Sequence, residues 1–164
     1  MTYVTAVSMK ILMVCLGNIC RSPMAEGIMR EKLKDLYPGS IIDSAGTGGW
    51  HAGENPDRRA VKNMNDHGID ISKLVARQFH PKDFENFDLI LAMDESNYED
   101  ILKISNNEEQ NNKVKLILSY MPGQKTLSVP DPWYGGPEGF EHVFHLLNDA
   151  LDKVILKHFK DAGR

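Results

Sequence analysis

Short apolar runs alternate with stretches of helical periodicity along most of the chain. Four runs have strand length: Ile11 to Val14, Ile41 to Ala45, Leu89 to Met93 and Val114 to Leu118. Strands of this kind separated by helices predict a parallel sheet and an α/β fold. The first helix is expected from near Ser22 to about Leu36, with Pro23 at an early position where a missing N–H costs nothing. Its buried stripe would be Ala25, Ile28, Met29, Leu33 and Leu36. A second helix follows Asn55-Pro56 and stops at His67-Gly68, where glycine suits a left-handed cap. A third runs from about Ser96 to Ile104. The last, from about Phe140 to Phe159, presents Val143, Phe144, Leu147, Leu151, Val154, Ile155 and Phe159 on one face. Between Ser119 and Gly139 lies a connection rich in Pro and Gly, and a loop this long in a small domain marks function or disorder. The two prolines around Asp131 and the aromatics after it argue against simple disorder.

Composition narrows the class. The chain has 164 residues, 41% apolar, with a formal charge of -4. That is one domain, expected over residues 9–160, with residues 1–8 as a loose N-terminal extension. The first residues carry no basic region and no long apolar core, so they do not read as a secretory signal. No apolar run is long enough for a membrane span, and no basic stripe suggests nucleic acid. A cytoplasmic location is the default, and there the two cysteines read as reactive or buried rather than as a disulfide.

The candidate chemistry begins where the first strand meets the first helix. Cys15-Leu16-Gly17-Asn18-Ile19-Cys20-Arg21-Ser22 joins them, with cysteine and arginine six positions apart. A strand-to-helix turn aims backbone N–H groups at one spot, where the helix dipole also favours an anion. In that field Cys15 is expected to be a nucleophilic thiolate, with Arg21 offering a planar fork to two phosphate oxygens. Attack of sulfur on a phosphoryl group follows, and a departing phenolate then needs a proton. Asp131 on its restrained loop is the candidate, kept protonated by burial and by the phosphate beside it. Trp50, Trp133 and Tyr134 are candidates for the walls of a slot for an aromatic ring. Ser22 would hydrogen-bond the sulfur or act as an N-cap, and Asn18 would hold the turn. Cys20 reads as a redox partner that protects Cys15 or as a packing residue. The six histidines show no metal-ligand spacing, so no metal and no cofactor are expected.

These residues resemble the low molecular weight protein tyrosine phosphatases from about Ile11 to Phe159. The resemblance rests on Val14 to Pro23, on Asp131-Pro132-Trp133-Tyr134, and on Asp43-Ser44-Ala45-Gly46-Thr47, His67-Gly68-Ile69, Ala76-Arg77-Gln78 and Met93-Asp94-Glu95-Ser96. It implies a four-stranded parallel sheet with helices on both faces, of flavodoxin-like or Rossmann-like type. It implies Cys15 as nucleophile, Arg21 as phosphate clamp and Asp131 as general acid and then base, with hydrolysis of phosphotyrosine through a phosphocysteine. It further implies a phosphate-binding loop of Leu16, Gly17, Asn18, Ile19, Cys20 and Arg21, with Ser22 assisting the thiolate. Asn18, Ser44 and His67 would form the network that props this loop, and Asp94 would organise it near the arginine. Ile19, Trp50, Trp133 and Tyr134 would line the substrate slot. Trp133 stands where tyrosine is usual in the animal enzymes, leaving Tyr134 as the only tyrosine of that pair. Partners would be phosphotyrosine-containing proteins and free oxyanions, acted on by a monomer or weak dimer. Two alternatives share these features: an arsenate reductase on the same fold, which needs further cysteines outside the loop, and a binding module without turnover.

Overall fold

Because the central strand is covered on both sides, its sequence is apolar throughout rather than alternating. In the computed structural model, which describes residues 7–160 and 162, β1 (Lys10–Cys15) is buried from Ile11 onward. It pairs in parallel with β2 (Ile41–Gly46) on one side and β3 (Leu89–Ala92) on the other, and β4 (Val114–Leu116) adds beyond β3. The order β2-β1-β3-β4 makes a four-stranded doubly wound sheet. Residues 1–6, most of the expected extension, lie outside the described residues.

Helix α1 (Arg21–Leu33), α2 (Arg58–Asp66) and α6 (Pro137–His158) share one core with Ile11, Met13 and Cys15 of β1. Leu12 and Val14 face the opposite layer, where Phe84 of the short α3 (Asp83–Asn86) and Ile101 of α4 (Glu95–Ile104) pack. A further short helix, α5 (Glu108–Asn112), precedes β4. Neither α3 nor α5 was expected, since one turn carries too few apolar positions to show a period.

Boundaries follow local chemistry. Gly68 adopts φ +78, and Ile69 N–H reaches back to the Met64 carbonyl at 2.9 Å, so α2 ends at the glycine cap as the sequence indicates. Asp94 caps α4 reciprocally with Asn97. Ile117 and Leu118, expected to continue β4, instead open a 3-10 turn over Ile117–Tyr120. The expected stripe of α1 fails at its end. The helix stops at Leu33, so Leu36 points outward, 75% exposed. Tyr37 fills the core position instead, its ring centroid 4.6 Å from that of Phe159 and its hydroxyl donating to the Lys160 carbonyl.

The chain turns from β1 through α1 to β2 on one side, then adds β3 on the other. A crevice therefore opens beyond the carboxyl ends of β1 and β3, the usual ligand position in such sheets.

Candidate active site

The turn after β1 brings Cys15, Asn18 and Ser22 together beneath the surface. Asn18 adopts φ 59, a left-handed conformation that a non-glycine residue holds only when its surroundings fix it. Here the side chain is fully engaged. Its amide nitrogen donates to Ser22 Oγ at 2.8 Å and to Ser44 Oγ at 2.9 Å, and its oxygen accepts the Arg77 N–H at 3.0 Å. Gly46 at the end of β2 completes the fit: a Cβ there would stand 2.7 Å from the Leu16 carbonyl oxygen.

The direction of each hydrogen in this network follows from the chemistry of its members. Ser44 donates to Glu26 Oε1 at 2.7 Å and so accepts from Asn18. Ser22 also accepts from Asn18, which leaves its own O–H to point at Cys15 Sγ, 3.0 Å away. The Asn18 N–H adds a second donor to that sulfur at 3.3 Å. That sulfur is thus placed as a hydrogen-bond acceptor, turned toward the cleft side of the loop.

Helix α1 begins behind the loop with no side-chain cap and no acidic residue in its first turn. The positive end of its dipole is thus left for an anion. Arg21, 4% exposed, donates from Nη1 to Asp94 Oδ2 at 2.7 Å and to the Val129 carbonyl at 3.0 Å. Its Nε and Nη2 make no protein hydrogen bond among the described residues and remain as donors for a bound oxyanion. Burial works against the Arg21 charge, but Cys15, Asp94 and Asp131 outweigh it and raise its pKa above the ordinary guanidinium value.

Asp131 faces this loop, its Oδ2 3.9 Å from Arg21 Nη2 and its Oδ1 accepting the Trp133 N–H at 3.0 Å. It stands at the N-cap of a 3-10 turn formed by residues 132–134. The expected burial is not found: its side chain is 45% exposed, because its aromatic neighbours stand in solvent and do not cover it. Between the two halves lies an open cleft of about 190 Å³. Ile19 is buried at its base, whereas Trp50 at 75% and Tyr134 at 92% exposure form a rim rather than closed walls, with Trp133 half-covered.

His67 is not part of the loop network. It pairs with Glu141 and stacks on Phe144 with ring centroids 3.6 Å apart, on the face where α2 meets α6. Its position at the end of α2 aims it at α6, away from Asn18. Two residues that the sequence reading missed do belong to the site. His51 lines the cleft beside Gly17 and pairs with Glu54. Glu26 lies beneath Ser44, its second oxygen 2.6 Å from Arg30 Nη2. Burial raises its pKa, and hydrogen bonding from Ser44 and the Arg30 charge only partly oppose this. A glutamate at the margin of the apolar stripe of α1, four residues before an arginine, was the available signal. Cys15 and Cys20 are both free and buried. Burial, together with Asp57, Cys15 and Asp131, pushes the Cys20 thiol up beyond its normal range, so it is held protonated.

The fold and this loop define a class: a doubly wound α/β protein with an oxyanion cradle and a cysteine at the sheet's switch point. The chain belongs to the low molecular weight phosphotyrosine protein phosphatase family, whose model matches residues 10–162. The human low molecular weight phosphotyrosine protein phosphatase is 45% identical over 137 residues, 82% of this chain and 85% of that protein. A protein tyrosine phosphatase from Entamoeba histolytica, solved with Hepes in its active site, superposes with a TM-score of 0.85. It is 40% identical and covers 91% of this chain and 96% of its own. Wzb from Vibrio vulnificus, solved in complex with benzylphosphonate, is 27% identical, with a TM-score of 0.80 and coverage of 90% and 97%. No helix among the described residues is long and apolar enough to cross a membrane.

Proposed function

We propose that this protein hydrolyses phosphotyrosine in proteins, and small aryl phosphates, through a phosphocysteine intermediate. The observation that carries the proposal is the pair of donors on Cys15 Sγ, directly across the cleft from Asp131 and beside the free edge of Arg21. In the first step Cys15 Sγ attacks phosphorus. The S–P bond forms as the P–O bond to the aryl group breaks, and Asp131 gives its proton to the leaving oxygen. In the second step Asp131 takes a proton from water, whose oxygen attacks phosphorus. The S–P bond breaks, inorganic phosphate leaves and the thiolate returns. Arg21 Nε and Nη2 stabilise the equatorial oxygens where charge is spread in both transition states. Ser22, by donating to sulfur, makes Cys15 a better leaving group in the second.

Aryl esters are favoured over alkyl ones because the cleft has aromatic and aliphatic sides. The benzylphosphonate bound by the Vibrio vulnificus relative supports this, since it carries an aromatic ring one methylene from its phosphoryl head. A monomer suffices, since one chain supplies every group named. A reducing, cytoplasmic setting suits a reaction that needs Cys15 free. The arsenate reductase alternative is disfavoured by the absence of any cysteine beyond Cys15 and Cys20.

The test is hydrolysis of 4-nitrophenyl phosphate and of a phosphotyrosine peptide by wild type and Cys15→Ser. Turnover is expected to fall by at least about a thousandfold in the variant, with phosphate binding retained. Absence of turnover by folded wild type would leave a phosphate-binding module.

A further inference from the structure

Arg59, the second residue of α2, lies outside every role assigned above, yet it joins the two halves of the site. Its Nη1 donates to the Trp133 carbonyl at 2.8 Å. Its Nε and Nη2 grip the two oxygens of Asp57 at 3.0 Å each. The guanidinium carbon also sits 5.2 Å from the Trp133 ring centroid and 5.0 Å from that of Phe140, within reach of both for cation–π attraction.

What lies beyond each end of this brace gives it meaning. The Asp57 N–H donates to the Ile19 carbonyl at 2.8 Å, so one end is tied to the phosphate loop. At the other end, the N–H of Trp133 holds Asp131 Oδ1 while its carbonyl is held by Arg59. Among the described residues, the Arg59–Trp133 bond is the one hydrogen bond linking the backbone of residues 130–135 to another part of the chain. The other bonds of that backbone, from Gly135 N–H to the Pro132 carbonyl and from Trp133 N–H to Asp131 Oδ1, are internal. Three donors in a rigid fork, spread over a carboxylate and a carbonyl, are a task for arginine that lysine cannot perform.

We infer that Arg59 is a positioning residue that sets the distance between Asp131 and the phosphate loop, and thereby the efficiency of proton delivery to the leaving group. The inference rests on the phosphatase reading above. Small displacements of a proton donor are costly only when the leaving group needs its proton. A role confined to stability would instead slow all substrates alike.

The test uses Arg59→Met, which keeps an unbranched apolar stem against Trp133 and Phe140, and Arg59→Lys, which keeps the charge but not the fork. For phenyl phosphate, kcat/KM is expected to fall about tenfold in both variants, and for 4-nitrophenyl phosphate less than about threefold. Inhibition by inorganic phosphate should be unchanged, because the phosphate loop is intact. Equal loss on both esters, or no loss in either variant, overturns the inference. Wild type that turns over neither ester would overturn the phosphatase reading instead. Should Arg59→Met not fold, the Arg59→Lys ratio of the two esters decides alone.

Discussion

The two sides of the cleft are built in opposite ways. The phosphate-loop side is buried, and its strained Asn18 is held by three hydrogen bonds that continue through Ser44 to Glu26. The Asp131 side is exposed, rich in Pro and Gly, and tied outward at Arg59 and by the ion-pair approach to Arg21. The difference follows from what each side handles. Charge developing on phosphoryl oxygens is stabilised best by dipoles fixed before the substrate arrives, since fixed dipoles need no reorganisation. A proton donor must admit an aryl ring, meet its oxygen and then meet water, so its surroundings stay open. Few buried contacts and exposed backbone give such a segment low local stability.

If that division holds, removing the acid should affect only leaving groups that need it. Asp131→Ala is expected to slow kcat/KM for phenyl phosphate about a hundredfold, and far less for 4-nitrophenyl phosphate. A series of substituted phenyl phosphates, plotted against leaving-group pKa, measures this as a steeper slope. An unchanged slope would mean that Asp131 is not the acid.

A smaller effect is expected on the other side. Ser44→Ala removes the acceptor of one Asn18 N–H and the donor to Glu26 Oε1, leaving that N–H and that oxygen buried without these partners. Such a loss costs about 1–3 kcal/mol of stability, read as a shift of the urea midpoint. Unlike Asp131→Ala, it should slow good and poor leaving groups by the same factor, because it loosens the cradle and not the proton donor. A leaving-group-dependent loss would show that the two sides are coupled.

The same contrast explains what was legible in the sequence. The phosphate loop is contiguous, so Cys15, Asn18, Arg21 and Ser22 could be read as one unit, and the strands flanking it are apolar enough to place it. The acid loop was legible as a motif, but not the exposure of Asp131, Trp50 and Tyr134, which depends on what other segments cover them. His67 was assigned by its motif to a network it does not join, because the end of α2 directs it toward Glu141 and Phe144. Leu36 fits the period of α1 but follows the point where the chain turns, and periodicity does not report helix ends. His51 meets Gly17 and Arg59 meets Trp133 across tens of residues, which no local spacing marks, whereas Glu26 left only the trace of Arg30 four residues on.

Glu26 gives the smallest and most specific effect. Its pKa is raised by burial despite Ser44 and Arg30, so the folded state holds that proton more tightly than the unfolded chain, whose glutamates titrate near about 4.3. Below the unfolded pKa both states are protonated and burial of this carboxyl carries no charge penalty. As pH rises through the folded pKa, the native state must bury a charge, and this group's contribution to stability is lost. Glu26→Gln keeps an oxygen to accept from Ser44 but does not titrate. Loss of the Arg30 pair offsets the variant where Glu26 is charged, yet burial already outweighs that pair in the net shift. The stability of Glu26→Gln relative to wild type is therefore expected to rise as pH increases above the unfolded value of about 4.3, measured by urea unfolding at each pH. A difference that falls with pH would mean that Arg30 dominates, and that the carboxylate beneath the phosphate loop is an attractive anchor rather than a tolerated charge.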